Sequence, residues 1–478
     1  MNHRAVITLI AACTLAAILL PTTPSDAAQQ WSPEKRGSDN LTVVSHLPLG
    51  PPRNVADIEI EQEMSRPYVY VARMVYGEEG DKGMDIIDLH DETRPEVIYR
   101  WRIENQDLHV GNGAMDVKYF KWDDRYYVVQ SVQFGRGGPD SDMGAVVLDV
   151  TGLPDPSTVR EVARIRTPEH PGGFHNIFIY KHSNGRVLLI STGGPYAKVH
   201  DLGYVVEGRV DESWVATIPV GPDCVVERPT AGAPPPAAAE AGAQGGRGGR
   251  GGARGVPGRR CSYHDMYAGY HPDTETDRFY GGGTGGYYVY DITDLENPSM
   301  IVSLTGITGV RSGHTFTPTP DGRYVIAETE YQYAPLRIFD LQPALDGETT
   351  NINRPISAWT ADWQNLVHNH EVRWPFVFVS GYHDGLQVFN MMDAAKPVTV
   401  AYYDTYIGGP AFDDRAAMFN GAFGVDVRNA DGLIVISDMN TGFWAFRMEG
   451  FLGWDGESWG MPDISSAQKW DTGPGGGR

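Results

Sequence analysis

Cysteine is scarce in this 478-residue chain: Cys13, Cys224 and Cys261 are all it has. That is too few for a fold held together by a disulfide framework. Cationic residues are also short, 39 Lys and Arg against 61 Asp and Glu, and the formal net charge of -22 excludes a bulk electrostatic attraction to nucleic acid. No nucleophile elbow, zinc-protease helix or phosphate-binding loop is present, so the common hydrolase and nucleotide signatures are excluded. Long apolar runs are missing beyond the first residues, which leaves no stable membrane span once that opening segment is removed.

The opening segment itself reads as an export signal. Arg4 supplies positive charge, Ala5 to Leu20 is mostly apolar, and Ser25-Asp26-Ala27 ends a small, polar stretch suited to cleavage. Residues 1–27 are therefore expected to be a signal peptide, and the mature protein to be periplasmic or secreted. Cys13 lies inside the apolar run, which leaves Cys224 and Cys261. In an exported chain an isolated pair can bridge, and these two bracket residues 221–260, a low-complexity insertion rich in Pro, Ala, Gly and Arg. Two free thiols are the other reading. Residues 451–478 form a C-terminal tail that ends in a glycine-rich stretch.

What the chain has in abundance is a repeated phrase. A residue followed by Asp, Asn or a stand-in opens an apolar strand at Ala56-Asp57, Met115-Asp116, His175-Asn176, His264-Asp265, His314-Thr315, His370-Glu371 and Val425-Asp426. The intervals are 59, 60, 89, 50, 56 and 55 residues, the longest carrying the insertion. A second apolar strand follows, then a third such as Gly83–Asp88, Gly144–Asp149 or Gly286–Asp291. In four repeats a proline stands seven residues beyond the closing Asp or Asn (Pro95, Pro156, Pro298, Pro397). There Asp or Asn can bond back to the turn and Pro fixes φ at the entry to a fourth strand. A period of this length built of strands predicts an all-β, seven-bladed β-propeller over residues 41–450. The seventh repeat lacks an outer strand, and Leu41 to His46 lacks a blade. Pairing the two would close the ring and remove the exposed edges.

These third-strand phrases, together with His368-Asn369-His370 followed by Tyr382 to Phe389 and with Tyr402-Tyr403-Asp404-Thr405-Tyr406, resemble the LVIVD-repeat β-propellers, especially the exported choice-of-anchor B proteins. The resemblance spans roughly residues 41–450, apart from the insertion. It implies a propeller fold and export, and it implies no particular activity. Such proteins often carry a C-terminal surface anchor. None is seen here, and a free exported protein, monomeric, is expected.

The first position of the repeated pair is His in four consecutive repeats. Equivalent positions of a propeller converge on its central channel, so His175, His264, His314 and His370, with His368 as a further candidate, can form an arc around one mouth. Imidazoles in such an arc suit Zn, Cu, Fe or Ni, with Asn176, Asp265 and Glu371 placed to orient the rings. The competing reading puts each histidine between blades as a neutral core residue, because a one-residue error of register reverses the face. Ala56, Met115 and Val425 show that the position accepts apolar side chains. Glu328 and Glu330, two apart, would share a face if their strand continues. Three functions follow, one of them a purely structural place in an exported assembly. The first is a binding or scaffolding propeller for an exported protein or surface polymer, with loop aromatics such as Tyr331, Tyr333, Trp363 and Tyr382 as contacts. The alternative is a metal-dependent oxidoreductase or hydrolase centred on the histidines.

Overall fold

The structure, a computed structural model, describes residues 36–76, 79–135, 137–221, 261–407, 418–463 and 470–471. The expected signal peptide, Cys224 and nearly all of the insertion lie outside the described residues. Cys261 is disulfide-bonded.

Among the described residues the strands form seven four-stranded antiparallel sheets. Six are built from consecutive strands whose inner members are Ile58–Ile60, Gly113–Trp122, Ile177–Lys181, Tyr263–His271, Phe316–Pro318 and Asn369–Arg373. We number these blades 1 to 6. Blade 7 takes its inner three strands from Ala422–Val427, Ile434–Asp438 and Gly442–Met448 and its outer strand from Leu41–Leu47 at the other end of the chain. The register runs from Leu41 opposite Met448 to Leu47 opposite Phe443. Neighbouring inner strands touch all the way round, blade 7 against blade 1 included. The fold is therefore a closed seven-bladed β-propeller, and closure gives the last blade a fourth strand drawn from near the other terminus.

The repeated residues do the work that their chemistry predicts. At the end of third strands Asp88, Asp149, Asp291, Asp340 and Asn390 each accept a hydrogen bond from the amide two residues on, at 2.7 to 3.1 Å, which fixes the turn into the outer strand. Between blades, side chains on one sheet hold the opening residue of the next. Ser131 Oγ donates to His175 O, Thr315 Oγ1 to His368 O, Ser380 Oγ to Phe423 O and Ser437 Oγ to Ala56 O, at 2.6 to 3.4 Å. The last of these joins blade 7 to blade 1. Asp116 and Asp426 carry the same linkage in carboxylate form, accepting from the amides of Ile177 and Ile60 at 2.8 and 2.9 Å. Buried backbone groups at the channel wall are satisfied in this way instead of being left to water.

This linkage also defines which residues are equivalent. The opening positions of blades 6 and 7 are His368-Asn369 and Phe423-Gly424, each two residues earlier than the sequence pattern places them. His370 and Val425 sit further along their strands, at the place held in other blades by Ile58, Val117, Ile177, Met266 and Phe316, all apolar and buried. The C-terminal tail is partly packed: the Phe451 ring lies tilted 5.1 Å from Phe378, and Trp470 O accepts from Lys181 Nζ at the far end of the channel strands.

Candidate metal centre

A local irregularity turns the opening residue toward the channel. Register shifts occur between Ala114 and Val117, Tyr263 and Asp265, and Ala422 and Gly424. In blades 1 and 5 one residue of the second strand bonds to two of the first. Ala56 N donates to Ala72 O while Ala72 N donates to Asp57 O, and His314 N donates to Glu328 O while Glu328 N donates to Thr315 O. These are β-bulges, which break the strict alternation of a strand and re-aim one side chain. The result is a ring of opening residues, apolar in blades 7, 1 and 2 (Phe423, Ala56, Met115) and histidine in blades 3 to 6.

The four imidazoles form one continuous row. His175 lies 4.5 Å from His264, His264 4.0 Å from His314, and His314 5.1 Å from His368, between ring centroids. Donor atoms of His264, His314 and Glu330 lie within 4.8 Å of one another. Glu330 reaches the cluster because the strand Tyr324–Ala327 leads directly into Glu328-Thr329-Glu330. Both carboxylates then face the same histidine: Glu328 Oε2 is 2.6 Å from His314 Nδ1, and Glu330 Oε2 is 3.7 Å from His314 Nε2. Tyr382, at φ 46° in the turn after the second strand of blade 6, donates its hydroxyl to Glu330 Oε1 at 2.5 Å.

One ring nitrogen of each of three histidines is already engaged. His368 Nδ1 is 2.7 Å from Phe423 O. A carbonyl can only accept, so Nδ1 carries the hydrogen and Nε2 keeps a lone pair. His175 Nδ1 faces the Gln133 amide oxygen at 3.3 Å, and His314 Nδ1 faces Glu328. Such contacts set the tautomer and orientation of metal-binding imidazoles. His314 Nε2 and His264 Nδ1 are buried without a hydrogen-bond partner.

Electrostatically the four are not alike. Burial lowers His175 to about 4 and holds His264 and His368 well below the usual imidazole range. They are neutral, and neutral imidazole is the ligating form. Burial also opposes charge on His314, but Glu328 and Glu330 outweigh it and carry His314 up to about 9. Two carboxylates thus converge on a point where positive charge is favourable.

The remaining residues singled out in the sequence fall elsewhere. His370 lies outside the imidazole row, in a core position, with its pKa pushed down to about 3 by burial. His368 takes the place that the sequence pattern gave it. Asp265 Oδ2 lies 2.9 Å from Thr315 Oγ1, and the same hydroxyl lies 3.0 Å from His314 Nδ1, so Asp265 borders the row through that hydroxyl. Asn176 begins its blade with its backbone N–H, which donates to Thr192 Oγ1, while its side chain hydrogen-bonds to Asp265. Glu371 faces deeper into the channel and pairs with Arg373 at 2.8 Å. There a chamber of about 50 Å³ is lined by Asp57, Glu59, Asp116 and Glu371, among others, with Lys118 between the first three.

Fold and site together define a seven-bladed β-propeller with a His/His/Glu cluster capable of coordinating a metal ion at one mouth of its channel. No family model matches this chain, and no curated protein matches it.

Proposed function

We propose that this propeller is a metalloprotein in which His175, His264, His314 and His368, with Glu330, hold one transition-metal ion at the channel mouth, and that it carries out metal-dependent oxidation or hydrolysis there. The observation that carries this reading is the division of labour within the rings. Nδ1 of His175, His314 and His368 faces a protein acceptor, and His314 Nε2 is buried without a hydrogen-bond partner 3.7 Å from Glu330. Imidazole with one carboxylate suits Zn, Cu, Fe or Ni. The ion would act as a Lewis acid or activate bound water or oxygen. Glu330 and the Tyr382 hydroxyl are placed to hold and pass a proton beside it.

Affinity for Zn²⁺, followed by competition with a chromophoric chelator, tests the assignment. His368→Ala is expected to weaken binding strongly and His370→Ala to leave it unchanged. The reverse order would contradict the ligand set.

A specific feature keeps the binding role alongside it. Tyr333 and Trp363, 6.0 Å apart, are each about half exposed on loops leading to and from the histidine mouth, a pairing suited to contact with an exported protein or a surface polymer. Export after cleavage near Ala27, likeness to LVIVD-repeat propellers and a Cys224–Cys261 bridge belong to the same proposal.

A further inference from the structure

The histidine row forms only half of the mouth. Facing it is a cavity of about 150 Å³ whose walls include His175, His264, His368 and Glu330 on one side. Met74, Met115, Met439, Phe419, Phe423 and the ring of Tyr382 form the other. The asymmetry follows from the fold: blades 7, 1 and 2 put apolar residues at the ring position that blades 3 to 6 fill with histidine. The methionines and Phe423 are buried, whereas Tyr76, also lining the cavity, is 39% exposed and marks its rim.

We propose that this cavity takes a small, uncharged, mostly apolar molecule of benzene to phenol size, with its apolar body against the methionine wall and any donor atom turned toward the histidine row. The second half of that statement rests on the metal reading of the row; the first does not. Size follows from the volume, since an apolar cavity of this capacity admits a benzene-sized guest. Uncharged character follows from the walls. None of the described residues lining the cavity is Lys or Arg, so an anion would lose its hydration and meet the Glu330 carboxylate. A cation would find Glu330 already accepting from Tyr382 and set against His314. Methionine contributes a flexible, polarisable surface that adapts to aromatic and sulfur-containing guests.

The test uses the full chain labelled with ¹³C at the methionine methyls. Benzene and phenol, titrated separately into metal-free protein, should shift the resonances of Met74, Met115 and Met439, and benzoate and benzylamine should not. Met115→Phe, which fills the cavity, should weaken benzene binding at least about tenfold while leaving the other methionine resonances in place. In Co²⁺-loaded protein phenol, but not benzene, should change the visible spectrum. Shifts with benzene in a protein that takes up no Co²⁺ would uphold the cavity and sink the metal reading. Absence of shifts with benzene and phenol, or equal binding of benzoate or benzylamine, would overturn the inference whatever the metal does.

Discussion

Glu328 Oε2 stands 2.6 Å from His314 Nδ1, and both side chains are almost wholly buried. A carboxylate bonded to the far nitrogen of an imidazole fixes that ring and raises the basicity of its other nitrogen. Glu328→Gln keeps the shape but removes the charge. We expect metal affinity to drop about 10- to 100-fold, with the circular dichroism of the folded protein unchanged. Chelator competition on the purified variant provides the check.

His370 offers the complementary case. Its position in the other blades is filled by Ile58, Val117, Ile177, Met266, Phe316 and Val425, so an apolar side chain should serve as well there. His370→Val should leave metal stoichiometry intact and keep or raise the melting temperature. A variant that loses the ion would return His370 to the ligand set.

Ring closure is supported by a buried hydroxyl as well as by the Leu41–Leu47 strand and the Asp426 contact to Ile60 N. Ser437 Oγ accepts from Gly424 N at 2.9 Å and donates to Ala56 O at 2.6 Å, across the junction of blades 7 and 1. Ser437→Ala leaves two buried backbone groups without this partner, at a cost of about 1–3 kcal/mol. Chemical denaturation should show that loss, and a value near zero would mean that the junction relaxes.

Acid stability carries the signature of buried neutral histidines away from the metal site. Burial pushes both His200 and His271 down to about 3. Between pH 6.5 and about 3 the unfolded chain binds a proton at each that the folded chain refuses, so stability falls as pH falls. The contribution is complete above the unfolded value and is lost progressively below it. His271→Gln should flatten the pH dependence of unfolding in this window by about 1.4 kcal/mol per pH unit. Denaturant melts at pH 7, 6 and 5 measure it.

The propeller, its blade count and its closure were legible because each depends on features written locally: strand alternation, the Asp-turn-Pro phrase, and a missing outer strand matched by an orphan one. Register was less so. His370-Glu371 and Val425-Asp426 imitate the opening pair, and alternation alone cannot reveal a bulge that makes two residues face one. The signal was nonetheless present, since His368-Asn369 repeats His175-Asn176 more closely than His370-Glu371 does. Glu330 could be paired with Glu328 from spacing, but its meeting with His314 and Tyr382 joins two blades, and no local pattern encodes that contact. The methionine wall was illegible for the same reason: Met74, Met115 and Met439 come from three blades and differ in strand position.

Metal-dependent chemistry at the channel mouth requires that the imidazole row hold an ion. The direct measurement is the metal content of protein purified without a histidine tag, stripped with chelator, and reloaded separately with Zn, Cu, Fe and Ni. One tightly held ion per chain is expected with at least one of these metals, and its loss in His264→Ala. Protein that retains no stoichiometric ion with any of them would contradict the metal reading.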